Sequence, residues 1–365
     1  MRRALGTIPA PSPQRPGCFL ATWCSRGHFT AGIVPYLVRK ESRIEDVVEI
    51  IPHDNMEPMQ TVFLVGPTAV GKSAIALELA RRIDAEIVSA DSMQVYRGMD
   101  IGTAKPTAEE RAHVPHHLID VCDVSEVFDA KKFIEMASRV IEGIHARGRK
   151  ALVVGGTGLY VRALRHGLFE GPPRSEPLRE RLEKMSAVQL FEELERLDPA
   201  TAQRIDRHNP RRLVRALEVF HQTGKPISEL QKEWDNRAAV PAGFMLNRDR
   251  KDLNMRIEQR IDQQIASGWV TEVRRLLERG LEKNPTAMQA AGYRELVAHV
   301  RGNLSLAEAV ALIKIRTRQL AKRQLTWFRR ETQLDWLEIG REELSSLTAQ
   351  RILQIMKPKE ENSVS

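Results

Sequence analysis

The sequence predicts an α/β fold, in which a parallel β-sheet is flanked by helices and carries a helical insertion domain and a basic C-terminal helical region. Three observations support this fold class. Short apolar runs alternate with helical stretches from residue 61 onward, charged helices interrupt the alternation after Arg165, and an excess of Lys and Arg marks the C-terminal half. The 365 residues, of which 42% are apolar, suffice for a main domain and a smaller one.

The first 58 residues do not share this pattern. Up to Lys40 they contain six basic residues and no acidic one, together with scattered proline and glycine. This composition is typical of an organellar transit peptide, and also of upstream sequence read from a start codon placed too early, with Met56 or Met59 as the working start. We favour the second interpretation. In both cases we expect residues 1–58 to contribute no chemistry and little order.

The first predicted strand, 61–66, runs directly into a glycine-framed loop with the pattern GxxxxGKS. The glycines allow the backbone to curl so that successive N–H groups point inward, and the helix that follows presents its positive end to the same point. Lys72 adds a positive charge, and the Ser73 hydroxyl can ligate Mg²⁺. The motif predicts a P-loop NTPase-like core that binds a diphosphate or triphosphate. The predicted phosphate contacts are Gly66, Pro67, Thr68, Ala69, Val70, Gly71, Lys72 and Ser73.

The remaining strands are predicted from further short apolar runs. They lie at 86–90, 117–121, 151–154 and 244–246. The charged, helix-periodic sequence that precedes the last run predicts an inserted helical domain. The predicted boundaries are a first core part at 59–165, the insertion at 166–236, core completion with the basic helices at 237–345, and a tail at 346–365.

Positive charge is concentrated in one part of the chain. The net charge is +8, yet residues 201–330 alone contain 26 Lys and Arg against 14 Asp and Glu. The densest part, 311–330, holds seven cations and no acid. Six of these fall on two adjoining helical faces, Lys314, Arg318 and Lys322 on one and Arg316, Arg323 and Arg330 on the other. Because a solvated helix face usually mixes charge signs, this segment predicts contact with a polyanion such as a nucleic acid.

Composition argues against several other classes of protein. No stretch approaches the roughly 18 consecutive apolar residues of a membrane helix. Cys18, Cys24 and Cys122 are too few and too unevenly spaced for a disulfide framework, and no CxxC pair or matching His spacing suggests a zinc site. A reducing, cytoplasmic compartment fits these features.

Acidic residues near the predicted phosphate site bear on the chemistry. An ordinary ATP-hydrolysing enzyme needs a carboxylate after a neighbouring strand to hold the metal's water shell, but the strand 151–154 ends in Gly155. Asp120 could serve as that acid or merely cap a strand. We expect Asp91 to lie at the carboxyl edge of the sheet, across the crevice from Lys72. It could accept a proton from a nucleophile, coordinate Mg²⁺ through water, or only cap its neighbours.

The order of the motifs resembles that of the tRNA dimethylallyltransferases, the isopentenyl-diphosphate:tRNA transferase family. The motifs are GPTAVGKS, ADSMQVYRGMDIGTAKP, PHHLID, VVGGTGLYVRAL, RLVRALEVF, RIEQRI, AGYRE and RQLAKRQLTWFR. The resemblance runs from about Met59 to about Trp336, some three quarters of the chain. The zinc-finger tail of the eukaryotic members has no counterpart here, which favours the bacterial type, whereas the N-terminal extension departs from that type.

The resemblance implies transfer of a dimethylallyl group from dimethylallyl diphosphate to the exocyclic N6 amine of the adenosine 3′ of the anticodon in tRNA. It implies Mg²⁺ as cofactor and catalytic roles for Asp91, Lys72 and Thr157, although Thr157 could simply end a strand. Arg260, one turn after Arg256, would close over the diphosphate, unless both arginines only form a solvated helix face. The implied contacts with the anticodon stem-loop are Asp91, Ser92, Met93, Gln94, Gly158, Arg211, Arg212, Leu213, Val214, Arg215, Gln289, Ala290, Ala291, Gly292, Tyr293 and Arg294.

Within this set, Tyr293 could stack on a base or belong to the core. We expect the protein to act as a monomer. Two alternative functions remain open on the sequence: a dimethylallyltransferase acting on free adenylate, and a P-loop RNA-binding NTPase. The cation-rich segment favours an RNA acceptor over a free nucleotide, and the missing acid after 151–154 argues against the NTPase.

Overall fold

The structure, a computed structural model, describes residues 60–167, 171–232, 243–331 and 333–356. The predicted extension 1–58 lies outside these residues, as do the end of the predicted insertion and the end of the predicted tail. None of the helices in the described ranges is long and apolar enough to cross a bilayer.

A six-stranded parallel sheet forms the centre of the molecule, which confirms the predicted α/β fold class. The strands are β1 (Thr61–Val65), β2 (Ala85–Ala90), β3 (His116–His117), β4 (Lys150–Gly155), β5 (Gly243–Asn247) and β6 (Asp335–Glu338). Their order across the sheet is β3-β2-β4-β1-β5-β6. Every residue of β1 is buried, because this strand lies between β4 and β5 with helices on both faces.

Helices surround the sheet and form the insertion. They are α1 (Lys72–Ile83), α2 (Ala108–His113), α3 (Ala130–Ala146), α4 (Gly158–His166), α5 (Glu176–Glu183), α6 (Ala187–Leu197), α7 (Pro199–Ala202), α8 (Pro210–Thr223), α9 (Ile227–Lys232), α10 (Arg250–Ala266), α11 (Trp269–Glu278), α12 (Tyr293–Val300), α13 (Leu306–Phe328) and α14 (Ser345–Met356). Two short 3₁₀ helices lie at Leu281–Lys283 and Ala287–Gln289.

Two sheet elements differ from the sequence predictions. The apolar run 117–121 predicts a strand, but β3 stops after His117, because Leu118 and Asp120 adopt left-handed φ angles of 61° and 58° that end an extended chain. Strand β6 has no counterpart among the predicted strands. It pairs only with β5 at the sheet edge, and Leu337 is its one buried residue, so its sequence lacks an apolar run.

The predicted tail 346–365 also differs from the structure over its first part. Residues up to Met356 belong to α14, which packs against α1 and buries Ala349 and Ile352 completely. The helix forms because apolar residues three and four positions apart share one face, a spacing that a polar composition at the chain end obscures.

The insertion has its own hydrophobic core. Helices α5 to α9 bury a cluster that includes Leu190, Leu194, Leu213 and Leu217, separate from the main core around the sheet. Glu218 on α8 lies within it, fully buried, and accepts hydrogen bonds from Arg179 and from Arg215. These two arginines hold the pKa of Glu218 down to about 2 against the opposing effect of burial.

Candidate active site at the carboxyl edge of the sheet

The loop between β1 and α1 has the shape of an anion cradle. Ala69 and Gly71 take left-handed φ angles of 66° and 108°, which curl the chain back at the start of α1. No side chain caps this end of α1, so the backbone N–H groups of its first turn remain available to a ligand. Gly66 is required because a Cβ atom there would lie 2.8 Å from the carbonyl oxygen of Leu246.

Four basic side chains hold the oxygen atoms of this loop, and we call Lys72, Arg248, Arg256 and Arg260 the cationic collar. The bonds join Lys72 Nζ to the carbonyls of Gly66 (3.0 Å) and Pro67 (2.8 Å), Arg260 to Thr68 Oγ1 (2.6 Å), Arg256 Nε to the carbonyl of Ala69 (3.0 Å), and Arg248 Nε to that of Val70 (2.8 Å). With these oxygens held by cations, the loop amides that have no other acceptor can turn toward an anion; the amide of Thr68 is bonded to Gln324.

Burial makes the collar receptive to negative charge. It lowers the pKa of Lys72 to about 8, an effect that Asp91 partly offsets. It also lowers the pKa of Arg260 and of Arg256, although an arginine remains cationic. Because these cations have lost part of their hydration, a bound anion with several negative charges would compensate for that loss and stabilise their charged forms.

The cradle opens into a cavity of ≈ 800 Å³. Of the predicted site residues, the cavity wall includes Thr68, Ala69, Gly71, Lys72, Ser73, Asp91, Ser92, Met93, Gln94, Thr157, Gly158, Arg260, Gln289, Ala290 and Ala291. The fold thus brings together the phosphate loop, the end of β2, the end of β4 and the segment before α12. Arg211 to Arg215 do not line it, because they belong to α8 in the insertion.

Asp91 and Thr157 stand side by side at the ends of β2 and β4. Asp91 Oδ1 accepts hydrogen bonds from the backbone N–H groups of Met93 (2.8 Å) and Gln94 (3.4 Å). Thr157 Oγ1 accepts from the N–H of Ser92 at 3.1 Å. Among the described residues, Asp91 Oδ2 has no hydrogen-bond partner, so capping occupies one carboxylate oxygen and leaves the other for chemistry.

The residues present fit a magnesium ion. Mg²⁺ is usually held by one or two protein oxygens together with phosphate oxygens and water. Ser73 is exposed at the start of α1, and its hydroxyl shares the cavity with the Asp91 carboxylate. The described residues hold no cluster of three or more His, Cys, Asp or Glu side chains that could bind a metal without such a ligand.

Trp269 lines the cavity, and the buried Glu272 holds together the segments beside it. Glu272 accepts hydrogen bonds from the N–H groups of Asp100 (2.9 Å) and Ile101 (2.7 Å) and from the Tyr293 hydroxyl (2.7 Å). Of the two roles left open for Tyr293, the structure has the core position, because its ring is fully buried against Trp269. Leu213 and Val214, two further residues of the predicted set, are buried in the core of the insertion, whereas Ala290 is buried but lines the cavity.

Fewer cations of residues 311–330, which include most of α13, are free to bind a polyanion than the sequence predicts. Three of them pair with acids on neighbouring helices, Lys314 with Asp262 (2.7 Å), Arg318 with Glu258 (2.5 Å) and Arg316 with Glu295. The acids come from α10 and α12, which the sequence of α13 alone cannot show. In the described part of the chain, four exposed cations of this segment have no ion pair: Lys322, Arg323, Arg329 and Arg330.

Asp120 is a structural residue and does not serve as the metal-holding acid. Its two carboxylate oxygens are taken by Lys105 (2.6 Å) and Arg111 (3.0 Å). It does not line the cavity. Asp120 therefore does not replace the acid that is missing after β4.

Some residues of the site carry no recognisable signal in the sequence. Arg248 directly follows β5 in a short charged run, NRDRKD, that matches no known motif. Gln324 and Trp327 lie in RQLAKRQLTWFR, where basic residues dominate the pattern. Both line the cavity, and Gly158 has no room for a side chain because a Cβ atom would overlap the indole ring of Trp327.

The parallel sheet, the phosphate loop at its carboxyl edge and the adjoining cavity define a P-loop-like α/β protein with a candidate phosphate-binding site. Known proteins with similar sequences identify the family. The family profile described as IPP transferase matches residues 94–331. The chain belongs to the IPP transferase family.

Individual relatives agree with this assignment. The chain is 49% identical over 289 residues to a tRNA dimethylallyltransferase of Geobacter metallireducens, covering 77% of this chain and 93% of the relative. A full-length tRNA isopentenylpyrophosphate transferase from Bacillus halodurans matches with a TM-score of 0.60 and 39% identity, over 81% of this chain and 96% of that one. A eukaryotic dimethylallyltransferase acting on tRNA matches with a TM-score of 0.70 and 26% identity, over 82% and 81% of the two chains.

Proposed function

We propose that this protein transfers the dimethylallyl group of dimethylallyl diphosphate to the N6 amine of the adenosine 3′ of the anticodon in tRNA, releasing diphosphate. One observation carries the proposal: a cationic phosphate cradle and a carboxylate with a free oxygen face one cavity of the described chain, and no metal-holding acid follows β4. That arrangement suits a leaving diphosphate and an attacking amine better than it suits ATP hydrolysis.

The cradle acts on the leaving group. As the bond between the allylic carbon and the diphosphate oxygen breaks, negative charge grows on the diphosphate. The loop amides, Lys72 and Arg260 stabilise that charge most strongly in the transition state, because they are already in place and partly desolvated. When bound to the Ser73 hydroxyl and the diphosphate oxygens, Mg²⁺ would supply further charge neutralisation.

Asp91 acts on the incoming amine. The lone pair of an adenine amine is delocalised into the ring, so the amine is a poor nucleophile. The new bond joins N6 to the allylic carbon, and the proton that N6 loses passes to Asp91 Oδ2, while Oδ1 stays bound to the amides of Met93 and Gln94. Thr157 supports this geometry by holding the Ser92 amide.

The acceptor must enter the cavity as an unstacked base. Removing a base from its stack costs a few kcal/mol, which contacts with the rest of the RNA must offset. Exposed cations on two elements suit that role, Arg211 and Arg212 on α8 and Arg323 on α13. Their contacts with phosphate would be sequence-independent, whereas the cavity wall from Asp91 to Gln94 would meet the base itself.

A radiolabel transfer assay tests the proposal. Purified protein is incubated with Mg²⁺, labelled dimethylallyl diphosphate, and either unmodified tRNA or AMP. Label on tRNA alone supports the proposal, and label on AMP favours the free-adenylate alternative. ATP hydrolysis without transfer would favour the RNA-binding NTPase. We further propose that the protein is cytoplasmic and acts as a monomer. Gel filtration of the active fraction tests the oligomeric state, and fractionation of cells tests the location.

A further inference from the structure

A single glutamine bridges two parts of the candidate site. Gln324 lies on α13, and its Oε1 accepts a hydrogen bond from the backbone N–H of Thr68 at 2.8 Å. Its Nε2 donates to the carbonyl oxygen of Gly156 at 2.9 Å. Thr68 belongs to the phosphate loop and Gly156 to the turn after β4, so one carboxamide uses both of its polar ends to join the two segments.

Each end of the bridge reaches a catalytic group. Thr68 is also held through its hydroxyl by Arg260 of the cationic collar, at 2.6 Å. On the other side, Gly156 precedes Thr157, whose Oγ1 holds the amide of Ser92 next to Asp91. In addition to the pairing of the strands themselves, one side-chain connection from the diphosphate cradle to the proposed base therefore passes through Gln324.

Glycine at position 156 makes room for the Gln324 side chain. A Cβ atom on Gly156 would overlap Nε2 of Gln324, so only glycine at this position leaves space for the carboxamide. Glutamine alone offers, at this reach, an acceptor for the Thr68 amide and a donor for the Gly156 carbonyl. Glutamate would place a second acceptor against that carbonyl, and methionine would fill a similar volume with neither group.

We propose that Gln324 is a positioning residue that sets the separation between the diphosphate cradle and Asp91. This inference rests on the proposed function. The donor's allylic carbon must lie in line between the leaving oxygen and the attacking amine, and a misplacement of about 1 Å can cost roughly 100-fold in rate. Gln324 ties the two ends of that line to one helix, and α13 itself is packed between α10 and α12.

The test compares Q324M and Q324E with the wild-type enzyme, using Q350M on the exposed face of α14 as a matched control. Four quantities are measured: the single-turnover rate of transfer, the Kd of tRNA, the Kd of inorganic diphosphate, and Tm. We expect Q324M to slow single-turnover transfer by about 30- to 100-fold with tRNA affinity within about twofold, since the misplaced groups still bind RNA. Q324E should be slower than Q324M, and Q350M should match the wild type.

Several results would overturn the inference. One is a transfer rate for folded Q324M within about threefold of the wild type; another is a loss of rate that only parallels a loss of tRNA affinity. A lower Tm with an unchanged rate well below that Tm would reduce Gln324 to a stabilising contact. If Q324M does not fold, Q324N keeps both polar groups at a shorter reach and must show the same slowing. Failure of the wild type to transfer label would instead refute the proposed function.

Discussion

Lys72 is predicted to take up a proton when the donor binds. Burial lowers its pKa in the free protein to about 8, compared with an ordinary value of 10.5. The diphosphate adds several negative charges beside the ammonium group, so binding should return the pKa toward its ordinary value. At pH 8, about half of the free protein carries an uncharged Lys72, and at pH 7 about one tenth does.

The expected uptake is therefore about half a proton per donor bound at pH 8 and about a tenth at pH 7. Because the protonated form of Lys72 binds the anion, donor affinity should fall as pH rises through about 8. Isothermal titration of dimethylallyl diphosphate with Mg²⁺, in two buffers that differ in ionisation enthalpy, measures the uptake directly.

The matched control is K72R, which keeps a positive charge but does not titrate in this range. Its observed binding enthalpy should be the same in both buffers. A buffer-independent enthalpy for the wild type at pH 8 would contradict this prediction, because it would mean that Lys72 is already charged in the free protein. Equal uptake in K72R would assign the proton to another group.

Three further predictions concern the base, the packing and the RNA interface. D91N keeps an Oδ1 acceptor for the amides of Met93 and Gln94, so tRNA affinity should stay unchanged while the single-turnover rate falls by about 10²- to 10⁴-fold. Equal losses of affinity and rate would make Asp91 a recognition residue. G158A forces a methyl group into Trp327 and should cost about 1–3 kcal/mol of unfolding free energy, seen as a lower Tm, and an unchanged Tm would show that the indole can move. R323Q removes one cation that can neutralise an RNA phosphate, so the slope of log affinity against log salt concentration should become shallower by about 0.7–0.9. The control variant R316Q should leave that slope nearly unchanged, because Arg316 pairs with Glu295. Equal slopes for R323Q and the wild type would remove Arg323 from the RNA interface.

The central strands and the phosphate loop could be predicted because their signals are local. Four apolar residues, 62–65, precede Gly66, since β1 is covered on both faces, and the loop requires glycine at places that the sequence shows directly. Elements at the margin of the sheet give weaker signals. Strand β6 has one buried side chain, and β3 is cut short by backbone angles at Leu118 and Asp120 that no composition reveals.

Site residues that belong to a single motif could be predicted from the sequence. Site residues whose role depends on contacts between distant segments could not. Asp91 and Lys72 could be placed in one crevice from strand topology alone. The pairing of Arg316 with Glu295 and the burial of Tyr293 depend on how α12 packs on α13, which is a tertiary property. Gln324 is a similar case, because its two partners lie 256 and 168 residues away along the chain.

The cationic collar has a consequence for the end of each catalytic cycle. Its side chains already hold the loop oxygens, so we expect the cradle to recognise a pair of phosphates and to gain little from the hydrocarbon attached to them. Released diphosphate should therefore compete with dimethylallyl diphosphate for the same binding site. Sustained turnover would then depend on how quickly that by-product is hydrolysed elsewhere, and not only on the supply of prenyl donor.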